Sequence, residues 1–157
     1  MSRKISKHIS YKEATKSYTA TKYGIDNTPN KEELKRMRKT SKNVFEPVRD
    51  YYGVPIAVTS FFRSKPLNKR IGGSKTSQHR TGEAIDIDAD VYNKITNKQI
   101  FNYIRKYLIF DQLIWEFGND KNPEWVHVSY DYEGNNKCEV LVAYKNKLGK
   151  TKYKYYG

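Results

Sequence analysis

The sequence contains a single cysteine, Cys138, so no disulfide can form within one chain. We therefore expect synthesis in a reducing compartment or a fold that needs no covalent cross-links. No apolar run approaches the roughly 20 residues that cross a bilayer, and Met1 to Ser10 lack the apolar core of a secretory signal. These absences predict synthesis in the cytoplasm, no membrane insertion and no route of the chain's own across a membrane.

Acidic residues are also scarce beside basic ones. Asp and Glu total 17 against 30 Lys and Arg, which gives a net charge of +13. Such an excess attracts polyanions at long range, and nucleic acid and an anionic bacterial cell wall are both candidates. The lysines are spread along the whole chain, so simple solubility explains the charge equally well. Because no nucleic-acid motif or aromatic platform accompanies the charge, we expect no nucleic-acid partner.

Hydrophobic residues make up only 37% of the chain, and 14 tyrosines are among them. Tyrosine covers apolar surface while its hydroxyl stays wet, so a core is still expected and the chain is interpreted as globular rather than disordered. The length of 157 residues fits one domain. We predict a monomer with a single domain over 1–157, a motif-bearing core at about 5–130 and a basic strand and tail over 137–157.

The order of the predicted elements favours an α+β fold. Helical patterns occupy 10–22 and 30–52, where Pro47 marks a bend, and a long loop follows over 63–81. Period-two strand patterns and one more helix then alternate, at 56–62, 83–89, 97–108 (the helix), 110–117, 125–130 and 139–144. N-terminal helices followed by mixed elements predict a central, mainly antiparallel sheet.

Two of the three histidines, His79 and His127, lie in patterns typical of metal ligands, whereas His8 has no partner pattern. His79 lies in a polar loop that runs into a strand where Asp86 is an inward polar residue. A buried carboxylate needs a cation or strong donors, and His with carboxylate is a normal zinc set. His127 lies on the polar face of the strand WVHVSY. Two histidines and one carboxylate leave a fourth position for water, so we predict a catalytic Zn²⁺ site.

Hydrolysis also requires a general base near the attacking water. Glu124 precedes His127 by three residues and faces the opposite side on an ideal strand. It reaches the metal only if it lies in the turn before the strand, and Glu116 and Asp88 are the competing carboxylates. Arg63, at the start of the long loop, is a candidate for binding a substrate carboxylate or stabilising an oxyanion.

The motifs around these residues resemble those of one family. The stretch S-x-H-x-x-G-x-A-x-D, from Ser77 to Asp86, followed by WVHVSY, is similar to the D-alanyl-D-alanine-type zinc peptidases. Their wider group includes lysostaphin and the sonic hedgehog N-terminal domain. The small single-domain branch of phages and bacteria also shares FFRS-x-x-LN-x-x-IGGS, from Phe61 to Ser74. The resemblance covers roughly Ile5 to Tyr130.

The resemblance implies a small α+β domain whose antiparallel sheet carries the zinc, with the same three ligands. It also implies Glu124 as the acid/base, Arg63 as a group that stabilises the tetrahedral intermediate, and Ser77 as a residue lining the substrate site. Gln112, on the strand pattern FDQLIWEF, is a further candidate for lining the cleft, although sheet packing explains it equally well.

The implied substrate is the peptide stem of bacterial peptidoglycan. Both a D,D-carboxypeptidase and an L-Ala–D-Glu-type endopeptidase stay open at this point. Small size, positive charge and the lack of a signal are typical of a phage endolysin that reaches the wall through a holin, and a cell-wall remodelling enzyme is the related option. The alternative is a catalytically inactive zinc-containing binding module of the same fold.

Overall fold

The computed structural model describes residues 3–157 and has an α+β fold, with short helices before a six-stranded sheet. The predicted fold class is confirmed. Met1 and Ser2, part of the segment in which no secretory signal was expected, lie outside the described residues. Within the described range, the helices are all too short or too polar to cross a membrane.

The chain opens with a small hairpin and two short helices, β1 (Lys4–Ser6), β2 (Ile9–Ser10), α1 (Tyr11–Thr15) and α2 (Tyr18–Tyr23). The pattern over 10–22 predicted one helix, which the structure divides in two. The division falls at Ser17, whose hydroxyl accepts the Ala20 N–H at 3.1 Å and begins a second helix. Gly24 ends that helix as expected, with a φ of 63°.

The second helical region consists of α3 (Lys31–Thr40), a π-helical turn (Ser41–Phe45) and α4 (Glu46–Tyr52). Asn30 and Glu33 form a capping box at the start of α3. The irregularity predicted at Pro47 comes earlier, in the π-helical turn. Pro47 itself lies in the first turn of α4, where its missing N–H is not needed.

The main sheet contains β3 (Ala57–Ser60), β4 (Ala84–Asp88), β5 (Gln112–Glu116), β6 (Trp125–Ser129), β7 (Glu139–Lys145) and β8 (Thr151–Tyr155). Their order across the sheet is β3-β4-β6-β5-β7-β8. β5 and β7 run parallel, and the other neighbours are antiparallel, as expected. The Lys/Tyr segment after residue 144 was predicted to be a tail without regular structure, but it forms β8. A turn at Asn146 and Gly149 folds it back onto β7.

Further helices connect these strands, α5 (Lys65–Arg70), a 3₁₀ turn (Gln78–Thr81), a 3₁₀ turn (Asp90–Tyr92) and α6 (Asn97–Tyr107). The segment 63–81 was predicted as a loop, but the Ser64 hydroxyl accepts the Leu67 N–H and begins α5. α6 buries Ile100 and Ile104 against one face of the sheet.

Strand alternation gives the sheet two different faces. One face packs under the helices and carries fully or nearly fully buried residues, among them Ile85, Ile87, Leu113, Trp115, Val126 and Val128. The other, here called the open face, carries the side chains between them, including Asp86, His127 and Glu116. The open face positions the candidate site.

Candidate active site

Three predicted metal ligands meet on the open face. Asp86 and His127 are register partners in the centres of β4 and β6, and His79 comes from the 3₁₀ turn before β4. The distance to Asp86 Oδ1 is 3.3 Å from His79 Nε2 and 2.9 Å from His127 Nδ1. One nitrogen or oxygen of each residue lies within 4.8 Å of the others. Residues far apart in the sequence thus present three converging donor atoms.

The hydrogen bonding of His79 favours a cation at this point. Its Nδ1 lies 2.7 Å from the carbonyl oxygen of Phe61, so Nδ1–H donates and Nε2 carries the lone pair. Nε2 is buried and has no hydrogen-bond partner in the described chain, although it faces Asp86. Burial lowers the pKa of His79 and outweighs the charge of Asp86, which acts to raise it. The lowered pKa keeps the ring neutral. A lone pair facing a carboxylate is favourable when a cation lies between them.

Asp86 is held in its ionised form by its surroundings. Burial raises its pKa, but the proximity of the two imidazole rings and the hydrogen bond with His127 Nδ1 outweigh burial and keep the pKa below its usual range. Its second oxygen, Oδ2, lies 3.9 Å from Nη2 of Arg63. Two imidazole nitrogens and this carboxylate match the donor set and number of a catalytic zinc site, which keeps one position open.

The three candidate ligands line a cleft with a volume of about 1070 Å³. Its lining includes Arg63, Ser77, His79, Asp86, Gln112, Glu116, His127, Thr151 and Tyr153. Such a volume lies at the upper end of the range for ligand sites. The cleft is therefore large enough for an extended segment of several residues.

Among the carboxylates considered from the sequence, Glu116 is the one that lines this cleft. It lies at the end of β5 on the open face, and only 7% of the residue is exposed. Burial raises its pKa to about 7; His127 opposes that shift and the negative charge of Asp86 adds to it. A carboxylate near half ionisation at neutral pH suits a general base.

Glu124 lies immediately before β6, in the turn where a role at the metal would require it, but its side chain does not line the cleft. The residue is exposed and borders a neighbouring depression instead. Its N–H donates to the Glu116 carbonyl oxygen at 2.9 Å, which fixes the backbone at the start of the strand pair. Asp88 is also outside, since its Oδ1 accepts from the Asp90 N–H and from the Asn97 amide.

The predicted substrate-binding residues all line the cleft. The Arg63 guanidinium lies 3.4 Å from Ser60 Oγ and 3.4 Å from Asn68 Oδ1, which orients it without satisfying all of its donors. The Ser77 hydroxyl accepts the His79 N–H at 3.3 Å, so Ser77 also positions a ligand. Gln112 donates from Nε2 to a carboxylate oxygen of Glu139 at 2.9 Å.

A second group of donor atoms lies around His8, with Glu46 and Asp50. Here His8 Nδ1 and both carboxylate oxygens of Glu46 already have hydrogen-bond partners within the protein. His8 Nδ1 lies 2.6 Å from Glu46 Oε1, and Glu46 Oε2 accepts from Ser6 and from the His8 N–H. This pair ties the N-terminal hairpin to α4, and His8 stays outside the site as expected.

The contribution of β8 to the cleft was not predicted from the sequence. Thr151 and Tyr153 line the cleft from a segment predicted to be a tail. The alternation Thr-Lys-Tyr-Lys-Tyr after a turn-forming Asn-Lys-Leu-Gly was the available signal for a hairpin. Glu116 had a signal too, because Gln112, Ile114 and Glu116 alternate on one face.

A comparison with known proteins agrees with the motifs. The sequence model of a family described as peptidase M15 matches residues 7–129, which include the three candidate ligands and Glu116 and end with β6. A search among curated proteins finds no match for the chain. The family match supports a metallopeptidase that acts on a peptide, and it leaves β7 and β8 outside the matched range. The chain belongs to the peptidase M15 family, a family of zinc peptidases similar to the D-alanyl-D-alanine carboxypeptidases.

Proposed function

We propose that this metallopeptidase hydrolyses the peptide stems of bacterial peptidoglycan, with zinc held by His79, Asp86 and His127. The observation that carries the metal assignment is the buried Nε2 of His79, which faces Asp86 without a hydrogen-bond partner in the described chain. The stem substrate is supported by the resemblance of the motifs to D-alanyl-D-alanine-type peptidases.

Zinc bound by these ligands would lower the pKa of a water molecule in its fourth position and polarise the scissile carbonyl. The chain's own residues would do the rest. We assign proton transfer to Glu116, which accepts the proton of the attacking water and delivers it to the leaving amine. Its buried position in the cleft that the three candidate ligands also line supports this role. The exposed position of Glu124 favours Glu116 over it.

Arg63 and Ser77 are proposed to orient the substrate. The Arg63 guanidinium, near Asp86 Oδ2 and on one side of the cleft, has free donors for the developing oxyanion or for a substrate carboxylate. Ser77 and Gln112 supply further polar groups along the lining.

The test is digestion of purified sacculi by the zinc-loaded protein, with and without a chelator, followed by mass spectrometry of the released muropeptides. New amino termini within the stem indicate an endopeptidase, and free D-Ala indicates a carboxypeptidase. If the zinc-loaded protein releases neither, the peptidase proposal fails, and an inactive zinc-containing binding module becomes the better description.

We further propose that the positive charge helps a monomeric protein bind anionic wall polymers. The stretch 140–157 contains no acidic residue and carries Lys145, Lys147, Lys150, Lys152 and Lys154. Together with the small size, this charge supports a phage endolysin that is made in the cytoplasm and acts on the wall after release, for instance through a holin.

A further inference from the structure

The C-terminal hairpin, formed by β7 and β8, extends the open face of the sheet beyond the range that the family model matches. Its register sets Glu116, Ala143 and Tyr153 in one line across β5, β7 and β8. Neighbouring strands lie about 4.8 Å apart, so the Tyr153 backbone is about 10 Å from that of Glu116. Ala143 between them is small and fully buried. A phenol ring can therefore lie over Ala143 towards the catalytic groups.

The lining of the cleft agrees with this register. Tyr153 and Thr151 line the same cleft as His127 and Glu116, and β8 is the edge of the sheet opposite β3, the strand that Arg63 follows. Tyr153 is 55% exposed, and its hydroxyl makes no hydrogen bond within residues 3–157. The side-chain hydrogen bonds within the hairpin are made by other residues, namely Lys145, Thr151 and Asn146 in the turn. The hydroxyl is thus free to bind a ligand.

The charges around Tyr153 determine what kind of ligand group suits it. Burial raises its pKa, and the negative charges of Glu116 and Asp86 raise it further, so the hydroxyl stays protonated at neutral pH. It is therefore a neutral hydrogen-bond donor, whereas Arg63 across the cleft is a cation. A neutral donor suits an uncharged carbonyl oxygen, and a cation suits a carboxylate.

We propose that the β7–β8 hairpin adds a substrate-binding subsite to the cleft, in which the Tyr153 hydroxyl donates a hydrogen bond to a backbone carbonyl oxygen of the bound peptide stem. The proposal rests on the peptidase function proposed above. Tyr153 contributes to substrate binding and not to proton transfer, which stays with Glu116.

Binding without turnover tests the subsite directly. Zinc-loaded protein carrying Glu116→Gln is titrated calorimetrically with a synthetic pentapeptide stem that ends in D-Ala-D-Ala. Adding Tyr153→Phe removes one hydroxyl and is expected to weaken binding about fivefold to tenfold, the range of one lost hydrogen bond. The matched control is Tyr144→Phe on β7, which removes a hydroxyl from the opposite face of the same hairpin and should leave the Kd within twofold.

Kinetics of the otherwise wild-type enzyme complete the test. Tyr153→Phe should raise KM by a similar factor, with kcat and zinc content unchanged. Equal affinity of the Tyr153→Phe protein overturns the subsite, and so does an equal loss in Tyr144→Phe, which would indicate a general effect on the hairpin. Absence of any binding overturns the subsite and the stem substrate together. If the wild-type protein binds but does not cleave the stem, the proposed function fails while the subsite is still measured.

Discussion

The two faces of the central sheet differ in what their residues do, although they alternate along the same strands. On β4, Ile85 and Ile87 are fully buried under the helices, while Asp86 between them faces the cleft. On β6, Val126 and Val128 are buried and His127 faces the cleft. Of two neighbouring residues on these strands, one therefore packs in the core and stabilises the fold, and the next faces the cleft and is available for chemistry. Substitutions on the two faces should have separable effects, which the following experiments measure.

The largest effect is expected from Asp86→Ala on the open face. Loss of the carboxylate removes one ligand and the charge that pairs with both histidines, so zinc content and activity should both fall. Activity should drop by at least roughly 10²-fold, because even a group that only supports a metal ligand is worth about 10–100-fold in metal affinity or activity. Metal analysis of the purified protein and stem hydrolysis measure the two quantities. Full zinc content in the variant would contradict the ligand assignment.

Glu116→Gln sharpens the comparison within the open face. It should lower kcat by roughly 10²–10⁴-fold, the usual contribution of a general base, with zinc content unchanged. Glu124→Gln is the matched control, because Glu124 is exposed and lies outside the cleft lining, and its activity should stay near wild type. The reverse result, loss only in Glu124→Gln, would return the base to the residue that the family resemblance implied.

Ile87→Ala tests the helix-covered face. Ile87 is fully buried beside Asp86, and truncation should cost about 2–5 kcal/mol in the free energy of unfolding because it leaves a cavity. Specific activity of the folded fraction at low temperature should change little. Urea unfolding and stem hydrolysis on the same sample check both expectations. If Ile87→Ala kept its stability but lost its activity, the proposed separation of stability and chemistry between the two faces would be wrong.

The difference in the pH dependence of stability between the wild-type and Glu116→Gln proteins, both chelated, isolates Glu116. Its pKa is raised from 4.5 to about 7 by burial, so between these values the folded state binds more protons than the unfolded state. The contribution of Glu116 to stability should therefore be lost as pH rises through this window, by about 3 kcal/mol, because each tenfold change in proton affinity corresponds to about 1.4 kcal/mol. Glu116→Gln remains neutral and should lose less stability over this window. Parallel pH profiles of the two proteins would contradict the raised pKa.

The smallest effect should come from the lysines of β8. Lys152 and Lys154 lie on the edge strand, and replacing both with Gln should reduce binding to intact sacculi by roughly tenfold or less at low ionic strength. Cleavage of a short soluble stem should stay unchanged. Sedimentation of sacculi with bound protein across a salt series measures the effect. Unchanged binding at low salt would leave edge-strand solubility as the role of these lysines.

Much of the fold was predictable because its causes are local. The caps at Ser10 and Asn30, the alternation around Asp86 and the helix at 97–107 all follow from nearest neighbours in the sequence. The predicted fold class was confirmed for the same reason. The division of the first helix and the start of α5 were missed, because a single serine hydroxyl decides each.

The sequence alone determined the candidate ligands and the family. The spacing from His79 to Asp86 lies within one loop and strand, so its pattern is visible in a few residues. Tertiary structure decided which other groups reach the candidate metal site. Glu116 lies in the cleft because β5 pairs with β6 in one register. Tyr153 lies there because β7 pairs in parallel with β5 and β8 pairs with β7. Strand pairing between distant segments depends on packing of the whole sheet, and no local pattern specifies it.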